Sequence, residues 1–301
     1  MRLWNRKVSA LWAERFRFQL RTVWDILWEA RRAFSQDACL NLSAALAFYS
    51  ILSLIPYLFL LVSVAGYLFG PSQDAHQMAM SFFDRLFPQA SPLIFQEVKA
   101  ISQRAGVLGW VGFLSLIWTA SVFFSSLEFA MGVVFRVEHR RNFLKSKLLA
   151  LGMIPASAVI FFLSLFVTAF AGIMQTYELK VFGIDWGKSD LFEFLVGYLL
   201  PYLVLALAFT AIYKIIPNTS ISVRHALAGG ASCSFLFEMV KHFFTWYLGS
   251  SQHYNVIYGS LEAIVILVVW AFYSSSVLLF CAEVVSAYRR RDITLLEKAF
   301  L

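Results

Sequence analysis

Glu238, Lys241 and His242 stand three and four residues apart inside an otherwise apolar run, a spacing that puts all three on one face of a helix. An acid, an amine and an imidazole so placed either neutralise one another as an intrahelical ion pair or line a polar cavity that responds to protons. Glu128 and Glu283 lie a turn or more inside two other apolar runs, with Arg136, Arg224 and Arg289 as prospective partners. Facing each other, they would form a polar ring beneath the Glu238 group. A charge at the centre of a membrane span costs about 2.5–3.5 kcal/mol on insertion scales, so such residues face protein or water. Glu262, at the outer end of the last run, only has to reach the headgroups. Between the last two runs, Tyr254, Asn255, Tyr258, Gly259 and Ser260 offer hydroxyls and an amide to a polar headgroup; equally, they are a compact turn that needs the glycine backbone. Other chemistry finds no support. The five histidines, His76, His139, His225, His242 and His253, fall in different gaps and runs, and Cys39, Cys233 and Cys281 are far apart. No metal-ligand spacing, disulfide framework, cofactor motif or nucleophile–base pair is present, so neither an enzyme nor a bound cofactor is expected.

These residues must be held by long apolar elements. No charge occurs between Asp37 and Asp74, or between Lys147 and Glu178, and 18 or more uncharged apolar residues suffice to cross the roughly 30 Å hydrocarbon core. Six such runs, at about 40–69, 107–135, 148–177, 192–216, 225–248 and 260–287, predict an all-α, polytopic membrane protein with six transmembrane helices. They do not alternate apolar and polar residues as barrel strands do. The hydrophobic fraction of 60%, mean hydropathy of +0.70 and 31 phenylalanines exceed what a soluble core of this length could bury. The gaps on the side of the termini carry nineteen Lys and Arg, and those on the other side carry five. The positive-inside bias therefore puts both termini in the cytoplasm. The net charge of +7 points to anionic lipid headgroups as partners rather than nucleic acid.

The chain divides into an N-terminal amphipathic helix over 1–36, the membrane domain over 37–288 and a basic tail over 289–301. In the first part, Trp4, Val8, Trp12, Phe16, Leu20, Val23, Trp24 and Leu27 follow helical spacing opposite Arg17, Arg21, Asp25, Glu29 and Arg32, the pattern of a helix lying in the inner-leaflet interface. The start of the chain lacks the compact apolar run and cleavage site of a signal peptide. The gap at 70–104, with Phe82, Phe83, Leu86 and Phe87 and then Leu93, Ile94, Val98 and Ile101, predicts short external helices. Pro56, Pro155 and Pro201 fall inside runs. Ser43, Ala44, Ala47, Ser50 and Ser53 on the first helix, and Gly229, Gly230 and Ser234 on the fifth, make small faces that favour close helix approach.

The stretch Leu46-Ala47-Phe48-Tyr49-Ser50-Ile51-Leu52-Ser53-Leu54-Ile55-Pro56 resembles the BrkB-type (YihY) family of bacterial inner-membrane proteins, with Tyr49, Ser53 and Pro56 as the first-helix motif. Trp118-Thr119-Ala120-Ser121, Tyr254-Asn255-Val256-Ile257-Tyr258-Gly259-Ser260, Trp270 with Tyr273, and Ala282-Glu283 are similar to its other motifs. The chain departs from that pattern at Gly132 and Val285, where the family has Asn nearby, and at Cys281 and Glu262, where it has Gly. The resemblance implies six transmembrane helices in the bacterial cytoplasmic membrane and an association with envelope integrity. Members have carried the label ribonuclease BN, which the scattered histidines argue against, since two-metal hydrolysis needs a clustered ligand set.

Two functions compete. One is a transporter or flippase-like handler of an amphipathic or lipid-linked substrate, using Glu238, Lys241, His242, Glu128 and Glu283 inside and Tyr254–Ser260 outside. The other is a non-transporting scaffold or regulator of envelope enzymes that docks through the basic N-terminal helix and tail. A homo-oligomer or an envelope-protein partner is compatible with either.

Overall fold

The computed structural model describes residues 22–69, 105–138, 141–142, 144–157, 159, 180–181, 184–185, 195, 199–250 and 262–300. The elements are α1 (Thr22–Gln36), α2 (Cys39–Phe69), α3 (Ala105–Val134), α4 (144–157), β1 (Lys180–Val181), β2 (Ile184–Asp185), α5 (Leu200–Ile215), α6 (Val223–Ser250) and α7 (Glu262–Phe300). The fold is helical apart from one minimal antiparallel ladder that pairs Lys180 with Asp185 and Val181 with Ile184. Every apolar run carries a helix where it is described. Residues 1–21, the 70–104 gap, 160–177 and the 254–260 segment lie outside the described residues.

Trp110–Val134 and Ile264–Thr294 are each long and apolar enough to cross a membrane, and α1 with the first half of α2 passes the same test as a pair bent by 70°. The bend sits where the charge-free run begins. Ala38 there has a φ of 49°, a left-handed conformation that breaks the helix between Asp37 and Cys39. α7 runs unbroken past residue 288 into the basic end of the chain.

α2 lies along α3 and α5 along α6, while α7 touches α2, α3 and α6 and joins the two pairs. Lipid tails are as apolar as leucine, so helices in a bilayer associate through close packing and hydrogen bonds. Both are visible here. Ser43, Ala47 and Ser234 are buried as the small faces predict, although Ala44 is exposed. A Cβ on Gly229 would stand 2.0 Å from Val285 Cγ2, and one on Gly230 would stand 2.6 Å from the carbonyl oxygen of Ala206, so α6 touches both neighbours through backbone. Tyr213, fully buried in α5, donates its hydroxyl to the Leu278 carbonyl at 2.9 Å. Outside, Trp110, Phe113, Leu114 and Trp118 on α3 and Phe235, Phe243 and Trp246 on α6 are exposed, which suits a wall facing acyl chains rather than water.

The core concentrates at one pole. Leu127, Met131 and Val134 of α3 meet Tyr213 and Ile216 around α5 and Leu279, Ala282 and Val285 of α7. Ser286 Oγ donates to the Val134 carbonyl at 2.9 Å, satisfying an acceptor that the end of α3 leaves open. At the same pole Arg289 Nη2 donates to Thr219 Oγ1 at 3.0 Å. Arg290 Nε meets Glu29 at 3.0 Å, and Arg291 Nη1 meets Asp25 at 3.5 Å. The end of α3, the α5–α6 loop, α1 and the end of α7 are thus tied together.

Candidate functional site

The end of α3 opens onto a cavity of about 600 Å³ lined by Ser125, Glu128, Gly132, Arg136, Arg141 and Asn218 among others, with Phe129, Val133 and Val137 as apolar wall. Local backbone chemistry shapes it. The N–H of Val137 bonds the Gly132 carbonyl at 2.9 Å and that of Arg136 bonds the Val133 carbonyl at 3.0 Å, the paired bonds of a helix that ends through a left-handed residue. That residue is Arg136, with a φ of 51°. A Cβ on Gly132 would meet nothing within 4 Å, so the wall there is open space.

Glu128 Oε2 accepts a hydrogen bond from Ser146 Oγ, and Oε1 lies 3.8 Å from Arg141 Nε. The same Nε donates to Asn218 Oδ1 at 3.3 Å, and Lys147 Nζ reaches Ser121 Oγ at 3.1 Å just below. Glu128 is therefore paired, but with Arg141 rather than Arg136, Arg224 or Arg289. Arg289 is taken by Thr219, and the left-handed turn directs Arg136 to the cavity rim.

Glu283 is fully buried and does not share a partner with Glu128, so the predicted ring does not form. Its Oε1 accepts from Cys39 Sγ at 3.7 Å. Its carboxyl neighbours that of Asp37 at the α1–α2 bend, and Glu283 Oε2 and Asp37 Oδ2 are both buried without a donor among the described residues. On α6, Lys241 Nζ lies 2.5 Å from Glu238 Oε2 and His242 Nε2 lies 3.8 Å from the same oxygen. The His242 side chain is 73% exposed and that of Lys241 47%, so the group sits on the outer face of the helix, apart from the cavity at Glu128. Its geometry is that of an intrahelical ion pair.

Residues 30–299 match the family model described as Virulence factor BrkB. The chain belongs to that family. A UPF0761 membrane protein of Alkalilimnicola ehrlichii is 31% identical over 84% of this chain and 56% of its own length. One from Halorhodospira halophila is 31% identical over 84% and 55%, and one from Aliivibrio salmonicida is 27% identical over 95% and 90%. The chain spans little more than half the length of the first two relatives. No solved structure matches it.

The described BrkB motif residues are partly packed and partly exposed, with Phe48, Trp118 and Tyr273 among the exposed. Thr119, Ala120 and Ser121 are buried with Trp118 exposed beside them, and Ala282 and Glu283 are fully buried. Tyr49 is half-buried and Pro56 is buried in α2, which runs through the proline unbroken. Ser53 Oγ bonds the Ser50 carbonyl at 2.7 Å. Trp270 packs its ring on Phe237 and Phe244 at 5.5 and 5.2 Å. Tyr254, Asn255, Tyr258, Gly259 and Ser260 lie outside the described residues.

Sequence reasoning missed one constellation. Ser222 Oγ is 2.5 Å from His225 Nδ1 and accepts the His225 backbone N–H at 3.3 Å, which makes Ser222 the cap of α6. His225 Nε2 meets Asp292 Oδ2 of α7 at 2.9 Å. The signal was there: a serine three residues before the first turn's histidine, at the start of an apolar run. Among the described residues no group of three His, Cys, Asp or Glu is placed to hold a metal.

Proposed function

We propose that this BrkB-family membrane protein has six spans with both termini in the cytoplasm of a bacterial inner membrane, and that it handles an amphipathic or lipid-linked substrate in the manner of a transporter or flippase. The carrying observation is the cavity at the end of α3, lined by the charged Glu128, Arg136 and Arg141 together with the apolar Phe129, Val133 and Val137. Its volume lies within the roughly 300–1,000 Å³ of small-ligand pockets. Arg136, Arg141 and Lys147 after α3 and Arg289, Arg290 and Arg291 on α7 lie in two of the basic segments of the chain, which supports the orientation. The reading assigns no catalytic step, cofactor or nucleic-acid partner, and takes membrane lipids with anionic headgroups as surroundings. Envelope integrity is the physiological setting it fits.

A second reading, a scaffold for envelope enzymes, draws on Glu238 and Lys241 closing on each other and on the exposed Trp24 and Trp28 of α1. Proteoliposomes with fluorescent lipid in one leaflet separate the two. Movement that needs Glu128 and tolerates Glu238→Gln supports handling at the cavity. Failure to move any lipid tested, with Glu128→Gln indistinguishable from wild type, favours the scaffold.

A further inference from the structure

We infer that the cavity at the end of α3 binds a phosphate-class anion between Arg136 and Arg141, and that Glu128 competes with that anion for Arg141. This deepens the lipid-handling reading and rests on it only for the choice of substrate class.

Two guanidinium groups and one carboxylate line the cavity. Arg141 is engaged only through Nε, to Asn218 at 3.3 Å and Glu128 at 3.8 Å. Its two terminal nitrogens make no hydrogen bond among the described residues. The Arg136 side chain makes none there either and lies exposed at the rim. A guanidinium presents a planar fork of donors that matches two oxygens of a phosphate at once. Glu128 does not use that fork: it meets Arg141 only at Nε, at the outer limit of an ion pair, and its other oxygen belongs to Ser146. A dianionic or diester phosphate reaching both arginines therefore has a stronger claim on Arg141 than the resident acid.

Arg136 gives the independent observation. It occupies the left-handed position that ends α3, where glycine is the ordinary residue and any Cβ is unfavourable. A strained residue that could be glycine without loss of fold marks a position held for its side chain. The open space over Gly132 and the apolar Phe129 and Val133 beside the arginines provide room for whatever the phosphate is attached to.

The same anion chemistry occurs in a lipid headgroup and in free phosphate. The full chain in nanodiscs of phosphatidylcholine, doped or not with phosphatidylglycerol, is examined by native mass spectrometry for retained lipid. In parallel, inorganic phosphate is titrated while the melting temperature is read. Wild type should retain phosphatidylglycerol over phosphatidylcholine, or melt higher in phosphate, and the two arms tell which source is used. Loss of a charge-assisted fork should weaken binding about ten-fold in Arg141→Gln. Arg136→Gly should weaken it similarly while raising the melting temperature, which separates lost binding from lost fold. Glu128→Gln should strengthen binding, and Gly132→Leu should block a lipid by filling the cavity without a change of charge. Binding of neither probe, or binding unaltered in both arginine variants, overturns the inference. Binding without lipid movement in proteoliposomes leaves it standing and refutes transport instead.

Discussion

Gly230→Ala tests whether α5 and α6 touch through backbone. The added methyl would lie 2.1 Å from Thr210 Oγ1, 2.6 Å from the Ala206 carbonyl oxygen and 2.8 Å from the Thr210 nitrogen. Two of those obstacles are main-chain atoms, and Thr210 Oγ1 is itself held to the Ala206 carbonyl at 2.7 Å. No rotamer change removes the overlap, so the helices must part by about 1 Å to reach ordinary contact. Overpacking of this kind costs about 3 kcal/mol at the upper end of its range, and the better helix propensity of alanine returns about 1 kcal/mol. The net loss of roughly 2 kcal/mol corresponds to a fall of about 4–8 °C in melting temperature. Detergent-purified protein heated and then passed through a sizing column gives the measurement. Thr210→Ala should not rescue Gly230→Ala, because the carbonyl remains. Gly229→Ala provides the contrast: its main obstacle is the Val285 Cγ2 methyl at 2.0 Å, so adding Val285→Ala should recover part of the loss. A Gly230→Ala protein that melts with wild type, or is restored by Thr210→Ala, refutes the close backbone approach.

Replacing Arg136 by glycine should stabilise the fold by roughly 1 kcal/mol, the approximate penalty of a side chain in the left-handed region, read as a rise in melting temperature without added ligand. Ser222→Ala should cost about 1 kcal/mol through loss of the α6 cap, whereas Ser222→Asp should retain most of it; equal losses for the two would refute capping. Lys241→Met removes the nearer cation of Glu238 and leaves only His242 at 3.8 Å, so it should lower membrane yield, by at most about the 2.5–3.5 kcal/mol of an unpaired charge on insertion scales. Adding Glu238→Gln should restore the yield, and additive losses would show that the two residues are not a pair.

The elements were legible because each is dictated by a property that varies along the chain. Long apolar runs mark α2, α3, α5, α6 and α7, and the 3.6-residue period marks the exposed Val23, Trp24 and Leu27 of α1. Depth is legible in the same way, so Glu128, Glu283 and Glu238 stood out as acids inside apolar runs. Partners were not. Whether Glu128 meets Arg136 or Arg141 depends on a turn whose left-handed residue is an arginine, and only a glycine there would have announced it. The bend at Ala38 hides for the same reason, and it is this bend that brings Asp37 to Glu283. His225 and Asp292 are 67 residues apart, and no spacing rule reaches across two helices. The Glu238 group was legible as one face of a helix. Its outward direction depends on how α6 is rotated against α5 and α7, which the two glycines decide.

The unbroken course of α7 has a mechanical side. Its 39 residues make a rod roughly 58 Å long, nearly twice the approximately 30 Å of hydrocarbon that one span must cross. Its far end grips α1 at two points, Arg290 on Glu29 and Arg291 on Asp25, and it packs against α2, α3 and α6. A rod pivoting in the bilayer by about 5° sweeps a tip on the order of 25 Å away through roughly 2 Å. That is comparable to the reach of a salt bridge, so a small tilt of α7 can engage or release α1.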